Sequence, residues 1–421
     1  FLIIAKSVVA KKVLFMKIFI ANCHTANRGD EAAVKSLVDE LSAAYPGVQI
    51  TLGMRGETYY PNLPKNVTSI PQAMPDNKSF RYQLTEKTKG KIVVGRLYTQ
   101  LINEVKSADI VLHAPGGPSI GDVYYDAEPG YLYFYKLLCA MKVPYMFFAP
   151  SMGPFLREER NKLRRYILSH ASAIALRDPI SAKYVREFLP EKRVYQTLDS
   201  AFQHDIDMAE NKEKLEAYSE LCSFLNTHKR CVGITITDLL WHPVHSKDGA
   251  MIANIQGSFE AFLKTLVDKG YGIVFIPQLY GTGNDYKLMS GFATGKDSFF
   301  TIPDSDDRYD SYFQQYVIGQ LYAVVGMRYH SNIFSAKMGT PFISVSYEQK
   351  MTGFMEKMEL SRYCIGIKDL SAELLAEKFE LLEQEHDSYK AYLEKEHDAM
   401  RKASYETTEI LKSIIKERKE G

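Results

Sequence analysis

Residues 324–347, "VVGMRYHSNIFSAKMGTPFISVSY", predict a strand, a short helix and a second strand in direct succession. Leu321 to Val325 is a continuous apolar and partly β-branched run, which is typical of a strand buried on both faces of a parallel sheet. Ser331 to Met338 predicts one or two helical turns, ended by the glycine and proline that follow. Phe342 to Tyr347 is a second apolar run. The segment therefore indicates an α/β fold with a right-handed crossover.

Arg328 and His330 lie between the first predicted strand and the helix. Ligands of such folds bind outside the carboxyl ends of the strands, where a helix N-terminus offers unpaired N–H groups to anions. An arginine supplies a planar fork for a carboxylate or phosphate, and a histidine can move a proton near neutral pH. The pair predicts an anionic ligand with proton chemistry beside it.

Strand-like and helix-like segments alternate along most of the chain. A first series of strands is predicted at Lys17–Asn22, Val48–Leu52, Ile110–His113, Tyr145–Ala149 and Ala173–Leu176, with a helix at Glu31–Tyr45. A second series is carried by "CVGITIT", "YGIVFIPQ", "YAVVGMR" and "PFISVSY". We expect two Rossmann-like lobes with parallel sheets and a cleft between them. The predicted organisation is an upstream extension (1–15), an acceptor-side lobe (16–205), a connecting helical segment (206–230), a donor-binding lobe (231–370) and a charged helical tail (371–421).

The charge balance and the cysteines give no support for a nucleic-acid partner or a metal site. The chain has 52 Lys plus Arg against 51 Asp plus Glu, a net charge of +1, so no bulk field favours nucleic acid or an anionic membrane, and any anion selectivity must be local. The five cysteines are scattered without the spacing of metal ligands. We expect a reduced, cytoplasmic protein without a metal site.

The first 15 residues, "FLIIAKSVVAKKVLF", are apolar but interrupted by three lysines. They are too short to span a bilayer and have no cleavage site of the signal-peptide type. We interpret them as sequence upstream of the first structural element. An extra surface element and a peripheral membrane contact are the alternatives. No other run approaches the length of an integral membrane segment.

Three further loops follow predicted strands. In "NRGDE", Asp30 is expected to cap the next helix, while Asn27 reaches a ligand hydroxyl. In "HAPGGPSIGD", Gly116 and Gly117 allow either close backbone approach to a ligand or a tight turn, and the spacing matches neither a dinucleotide nor a Walker loop. Arg177 ends a strand, where it either pairs with a neighbour such as Asp178 or binds a ligand.

The order of these motifs resembles that in the polysaccharide pyruvyl transferases. The resemblance is carried by "NRGDEAA", "APGGPSIGD", "PSMGPF", "ALRDPIS", "LDSAF", "FIPQ" followed by Asp285, and "GMRYHSNIFSAKMGTPFISVSYEQK". It covers the chain from Met16 to about Gly366. The Gly-Met-Arg-x-His core and Lys350 are its most specific parts, whereas Pro118 replaces a glycine that the family often has.

The resemblance implies a two-lobed fold of the GT-B type and phosphoenolpyruvate as donor. The product would be a pyruvate ketal on two hydroxyls of a saccharide that is a precursor of a capsule or exopolysaccharide, with release of phosphate. The acceptor would be free or linked to a lipid at the inner face of the membrane. Apart from this co-substrate, no cofactor is expected.

The residues implicated fall into three groups. His330 and Arg328 are the expected catalytic residues. The expected donor-binding residues are Arg177, Arg328, His330, Ser331, Asn332 and Lys350. The expected acceptor-binding residues are Asn27, Asp30, Gly116, Gly117 and Asp122.

Two alternatives stay open at this point. One is a nucleotide-sugar glycosyltransferase of the same architecture. The other is a non-catalytic saccharide-binding relative, against which the presence of both Arg328 and His330 argues.

Overall fold

The computed structural model describes residues 16–56, 63–280, 284–295, 297–303 and 309–420. The predicted extension at residues 1–15 lies outside them. The described chain forms two α/β lobes, each built on one fully parallel sheet. The predicted two-lobed fold class is therefore confirmed.

The first sheet has seven strands in the order β3-β2-β1-β4-β5-β6-β7. The strands are β1 (Lys17–Cys23), β2 (Gln49–Met54), β3 (Val67–Pro71), β4 (Ile110–His113), β5 (Tyr145–Phe148), β6 (Ala173–Leu176) and β7 (Val194–Gln196). The helices of this part are α1 (Arg28–Ala44), α2 (Phe80–Lys87), α3 (Arg96–Ser107), α4 (Glu128–Met141), α5 (Asn161–His170) and α6 (Pro179–Phe188).

The second sheet has six strands in the order β10-β9-β8-β11-β12-β13. The strands are β8 (Cys231–Thr235), β9 (Gly272–Phe275), β10 (Phe299–Thr301), β11 (Ala323–Gly326), β12 (Phe342–Ser346) and β13 (Cys364–Gly366). The helices from residue 208 onward are α7 (Met208–Ala217), α8 (Ser219–Thr227), α9 (Gly249–Asp268), α10 (Asp285–Ala293), α11 (Ser311–Gly319), α12 (Tyr329–Lys337), α13 (Gln349–Lys357) and α14 (Ala372–Glu420).

Two helices begin earlier in the chain than predicted. The expectation that Asp30 caps α1 is wrong, since the side chain of Asn27 accepts the Gly29 N–H (2.8 Å) and α1 begins at Arg28. Helix α12 begins at Tyr329 with Arg328 as its N-cap, two residues before the predicted start. Both loops are therefore shorter than expected, and their polar side chains lie closer to the strand ends.

Each sheet changes winding direction at one point, between β1 and β4 in the first and between β8 and β11 in the second. Loops that leave such points diverge and open a crevice at the carboxyl edge. The two edges face each other, and Asn27 forms an antiparallel bridge with Leu279 across the gap. This contact holds the loop after β1 against the second lobe.

Helix α14 is 49 residues long and packs into the hydrophobic core of each lobe. Leu375, Phe379 and Leu393 pack in the core of the second lobe. Leu411 and Ile415, near its end, pack in the core of the first lobe beside β1 and β2. The segment predicted as a charged tail therefore joins the two lobes.

Candidate active site

A cleft of about 350 Å³ lies between the facing carboxyl edges of the two sheets. Its lining comes from the loops after β1, β2, β4, β6, β8, β9 and β11 and from the turn after β12. Of the predicted residues, those that line it are Asn27, Asp30, Gly116, Gly117, Arg177, Arg328, His330 and Lys350. Tertiary structure thus gathers residues from both lobes around one space.

Arg328 is buried and held by a carboxylate from a neighbouring helix. Its Nε donates to Asp285 Oδ2 (3.0 Å), and its Nη2 donates to Asp285 Oδ1 and to Thr237 Oγ1 (3.1 Å). Burial disfavours the charged guanidinium, but Asp285 outweighs it and raises the pKa of Arg328 above its ordinary value. The guanidinium lies 4.8 Å from the ring of Trp241. A permanent positive charge is therefore fixed in position on the cleft wall.

His330 and Arg177 share a second buried carboxylate, that of Asp199. Oδ2 of Asp199 accepts from Arg177 Nη1 (2.6 Å) and lies 3.4 Å from His330 Nε2. Burial alone would raise the pKa of Asp199, but His330 and Arg177 lower it well below its usual range. The ionised carboxylate of Asp199 thus lies between the guanidinium of Arg177 and the imidazole of His330. This arrangement can support His330 as a proton donor.

Arg177 does not pair with its sequence neighbour. Asp178 instead caps α6, accepting the Ser181 N–H (2.7 Å), and also accepts from Ser151 Oγ (2.9 Å). The same Ser151 hydroxyl accepts from Arg177 Nε (3.1 Å). The Arg177 guanidinium lies 4.5 Å from the ring of Tyr329. The strand-end arginine is thus oriented toward the cleft by three neighbours.

Gly29 lies directly against the imidazole of His330. A Cβ added to Gly29 would stand 1.9 Å from His330 Nδ1 and 2.2 Å from its Cγ. Contacts this short cannot occur, so any larger residue would displace the ring. The glycine of the "NRGDE" loop is therefore required by an interlobe contact.

Lys350 belongs to a cluster of buried polar groups at the end of β12. Its Nζ lies 2.5 Å from Glu348 Oε2, while Glu348 Oε1 accepts from His242 Nε2 (2.9 Å) and from Tyr124 OH (3.1 Å). Burial would raise the pKa of Glu348, but Lys350 and His242 lower it below its usual range. Because Tyr124 belongs to the first lobe, this cluster also joins the two walls of the cleft.

The first-lobe wall presents polar groups suited to hydroxyls. The carboxylate of Asp30 accepts no hydrogen bond from the described residues, and a Cβ on Gly116 would stand 3.6 Å from its Oδ1. The carbonyl of Gly116 accepts the Ser151 N–H (3.1 Å). Gly117 has open space where a side chain would stand. Asp30 and the paired glycines therefore border open volume.

His113, at the end of β4, is buried in this wall and lines the cleft together with Asn22 and Ser119. Nδ1 contacts Tyr135 OH (2.6 Å) and Asn22 Nδ2 (2.9 Å), and Nε2 contacts Ser119 Oγ (2.7 Å). Burial lowers the pKa of His113 to about 3, and Arg55 adds to the effect. His113 is therefore neutral at physiological pH and positions Ser119 and Asn22 without donating a charge.

Three predicted residues have side chains away from the cleft. Ser331 Oγ donates to the carbonyl of Arg328 (2.6 Å) and contacts Thr235 Oγ1 (2.8 Å), inside the second lobe. Asn332 Nδ2 donates to Ser344 Oγ (2.8 Å) beneath α12. Asp122 pairs with Arg164 (2.7 Å) and accepts the N–H groups of two residues of the 156–157 loop. These side chains orient the loops from behind. The side chain of Asp122 therefore does not make the predicted acceptor contact, whereas the contact predicted for Ser331 and Asn332 was through their backbone N–H groups and stays a prediction.

The carboxylates that hold the cationic groups were not among the predicted site residues. Asp199 lies in "LDSAF", Asp285 follows "FIPQ", and Glu348 stands two residues before Lys350. All three are fully buried or nearly so. The first two belong to the motifs that carry the family resemblance, so their position there was the available signal. Their pairing with particular cations is a tertiary contact.

The family model for polysaccharide pyruvyl transferase matches residues 27–349. The chain belongs to this family. The match includes Arg177, Asp199, Arg328 and His330, and it confirms the resemblance seen in the motifs. Among curated proteins, this pyruvyl transferase family member is 22% identical over 392 residues to the amylovoran biosynthesis protein AmsJ of Erwinia amylovora, covering 84% of this chain and 89% of that protein. A role in polysaccharide biosynthesis follows from these two findings.

Solved structures show the fold of this pyruvyl transferase family member. A UDP-GlcNAc 2-epimerase of Neisseria meningitidis matches with a TM-score of 0.56 and 11% identity, covering 94% of this chain and all of that chain. The corresponding enzyme of Rickettsia bellii gives a TM-score of 0.56 at 11% identity over 96% and 97%. A sucrose-phosphate synthase of Thermosynechococcus elongatus gives 0.53 at 10% identity over 96% and 98%. The architecture is that of GT-B enzymes.

Proposed function

We propose that the protein transfers the enolpyruvyl group of phosphoenolpyruvate to two hydroxyls of a saccharide, forming a pyruvate ketal and releasing phosphate. The observation that carries the proposal is the convergence of Arg177, Arg328, His330 and Lys350 on one interlobe cleft. Phosphoenolpyruvate carries a carboxylate and a phosphate a few ångströms apart, and several fixed cations suit such a ligand. Family membership supports the same chemistry.

In the proposed reaction, His330 as imidazolium protonates the methylene carbon, and Asp199 stabilises its charge. One acceptor hydroxyl adds to the neighbouring carbon. The second hydroxyl then displaces phosphate by breaking the bond between that carbon and the phosphate ester oxygen. One C–H and two C–O bonds form, and the two hydroxyl protons balance the new methyl group and the released phosphate. No metal or organic cofactor is needed.

The two walls have separate proposed tasks. Arg328 and Lys350 of the second lobe, together with Arg177 at the end of β6 in the first lobe, bind the donor's anionic groups. Asp30, Asn27 and the Gly116–Gly117 backbone contact the acceptor hydroxyls on the first-lobe side. The free carboxylate of Asp30 supports this division, because it is suited to accept hydrogen bonds from sugar hydroxyls.

The test is phosphate release from phosphoenolpyruvate with a panel of saccharide acceptors, with mass spectrometry for the added carboxyethylidene group. His330→Ala should lower turnover by about 10²- to 10⁴-fold, the usual contribution of a general acid. His170→Ala, which removes an exposed histidine at the end of α5, should leave the rate unchanged.

Two results would contradict the proposal. Wild-type rates in His330→Ala would remove this histidine from the mechanism. Thermal stabilisation by UDP-sugars but not by phosphoenolpyruvate would favour a nucleotide-sugar glycosyltransferase instead.

A further inference from the structure

Exposed apolar side chains concentrate in one short segment of the first lobe. Nine large apolar side chains are exposed in the described part of the chain, and four of them lie between residues 80 and 97. These are Phe80 (72% exposed), Ile92 (52%), Val94 (48%) and Leu97 (52%). Single exposed apolar residues are ordinary, but a local group of them on a monomer marks an interaction surface.

The same segment is strongly basic. Between residues 78 and 97 it contains one acid, Glu86, which pairs with Lys136. Against this acid stand six exposed basic residues: Lys78, Arg81, Lys87, Lys89, Lys91 and Arg96. The chain as a whole has a net charge of only +1. The positive charge is therefore local to this surface, which we call the basic apolar surface (residues 78–97).

The basic apolar surface is built on packed structure. Tyr82 of α2 and Tyr98 of α3 form a small buried cluster against which Val93 packs. The guanidinium of Arg81 lies 5.8 Å from the ring of Tyr98, which links the first turns of the two helices. Because Val93 faces inward, Ile92 and Val94 on either side of it face solvent. The exposed apolar side chains therefore face solvent and lie among the basic side chains.

This surface lies beside the cleft. Helix α3 leads back to the start of β4, so its first residues, Arg96 and Leu97, stand at the carboxyl edge of the sheet. Gln72, directly after β3, donates from Nε2 to Asn22 Oδ1 (3.1 Å), and Asn22 lines the cleft. A planar partner on α2 and α3 would therefore stand next to the acceptor side of the site.

We propose that the basic apolar surface binds the face of an anionic lipid bilayer. Exposed apolar groups that enter the headgroup region, ringed by lysine and arginine, match the charge and polarity of such a surface. A second copy of the same surface would be repelled by its like charge. None of the described helices is long and apolar enough to cross a membrane. Building on the proposed function, this contact would bring the cleft to saccharide acceptors carried on lipids.

Vesicle co-sedimentation of the full chain tests the proposal without any turnover. Phosphatidylcholine vesicles containing phosphatidylglycerol should bind the protein, pure phosphatidylcholine vesicles should bind it much less, and added salt should weaken binding. Each basic residue near an anionic surface contributes about fivefold to the partition coefficient. Lys87→Glu, Lys89→Glu and Lys91→Glu combined should therefore lower it at least about 100-fold.

Matched variants separate this surface from the rest of the chain. Phe80→Ser, Ile92→Ser, Val94→Ser and Leu97→Ser combined should lower binding at least about tenfold. The control for the basic set is Lys183→Glu with Lys212→Glu and Lys264→Glu, and the control for the apolar set is Leu156→Ser with Met208→Ser. Both controls should bind like the wild type.

Phosphate release with a soluble acceptor should be unchanged in every variant, so failure of vesicle binding and failure of the proposed reaction are distinguishable. Absence of binding to anionic vesicles would overturn the proposal. So would binding that persists in both sets of surface variants, or a change of oligomeric state in place of a change in binding.

Discussion

The close contact between Gly29 and His330 predicts that adding a single methyl group at Gly29 will impair the reaction. In Gly29→Ala the new Cβ would overlap the imidazole, so the ring must move by an ångström or more. A displacement of this size at a catalytic group costs about 100-fold in rate. We expect kcat for phosphate release to fall by about that factor while the protein stays folded. Gly249→Ala, which has open space at the same atom, is the control. An unchanged rate in Gly29→Ala would show that the ring position is unimportant.

Asp199 is predicted to act through His330 and not on the donor. In Asp199→Asn the charged oxygen that lies 3.4 Å from His330 Nε2 becomes part of a neutral amide, so the ring loses the partner that orients it. We expect kcat to fall about 10- to 100-fold, less than the 10²- to 10⁴-fold loss expected when the general acid itself is removed. The measurement is kcat and KM for phosphoenolpyruvate in the phosphate-release assay, with kcat changing more than KM.

Asp285→Asn is the matched control for this effect on kcat. It also removes the carboxylate partner of a buried arginine, so it should lose comparable stability, but Asp285 does not contact His330. Because Asp285 holds Arg328, a proposed donor-binding residue, its loss should raise KM for phosphoenolpyruvate more than it lowers kcat. The same change of kcat and KM in both variants would mean that a general loss of structure, and not the Asp199–His330 contact, causes it.

At the scale of the helix, α12 carries a buried lysine without a carboxylate partner among the described residues. Lys337 Nζ donates to the carbonyls of Ala201 (2.8 Å) and His204 (2.6 Å), and burial lowers its pKa to about 7. Between about pH 7 and the ordinary lysine pKa of about 10.5, the unfolded chain binds a proton that the folded chain does not. The free energy of unfolding should therefore rise with pH across this window.

Comparison of the wild type with Lys337→Met isolates the part of the pH dependence of stability that comes from Lys337. The difference in free energy of unfolding, wild type minus variant, should increase from pH 7 to pH 9, as measured by urea denaturation at each pH. Other titrating groups are common to both proteins and cancel. For Lys183→Met, an exposed lysine on α6, the difference should stay constant with pH. A flat difference for Lys337→Met as well would show that the buried amine keeps an ordinary pKa.

The ends of α1 and α12 show what could be predicted at the scale of elements. Strands β4 and β6 match their predicted bounds because uniform apolar runs are a local signal. The helix starts were missed because the N-cap position depends on backbone geometry: Asn27 caps α1 with its side chain, whereas Arg328 holds the N-cap position of α12 without a side-chain capping bond. Short edge strands such as β7 and β13 were not predicted, since three residues carry too little pattern.

At the scale of the whole molecule, α14 packs into the cores of both lobes, and we predict that it couples their stability. Leu411 is fully buried in the first-lobe core, and Leu→Ala at such sites costs about 2–5 kcal/mol. The single tryptophan, Trp241, lies in the second lobe. If the lobes unfold together, Leu411→Ala should shift the Trp241 fluorescence transition and the circular dichroism transition to lower urea by the same amount.

A Trp241 fluorescence transition that stays in place in Leu411→Ala, while the circular dichroism transition splits, would mean that the lobes unfold independently. Met208→Ala, an exposed residue of α7, should leave both transitions unchanged.

The sequence by itself determined the parallel α/β fold, the family and the placement of Arg328 and His330 at a strand end, because apolar runs, caps and short motifs are local signals. Only the tertiary structure decided which residues share the cleft. Asp199, Asp285 and Glu348 pair with the cationic side chains of the cleft. The side chains of Ser331, Asn332 and Asp122 lie away from the cleft. Helix α14 returns to the first lobe and packs in its core. Those outcomes depend on contacts between residues up to hundreds of positions apart, where the free energy of burying a charge selects its partner.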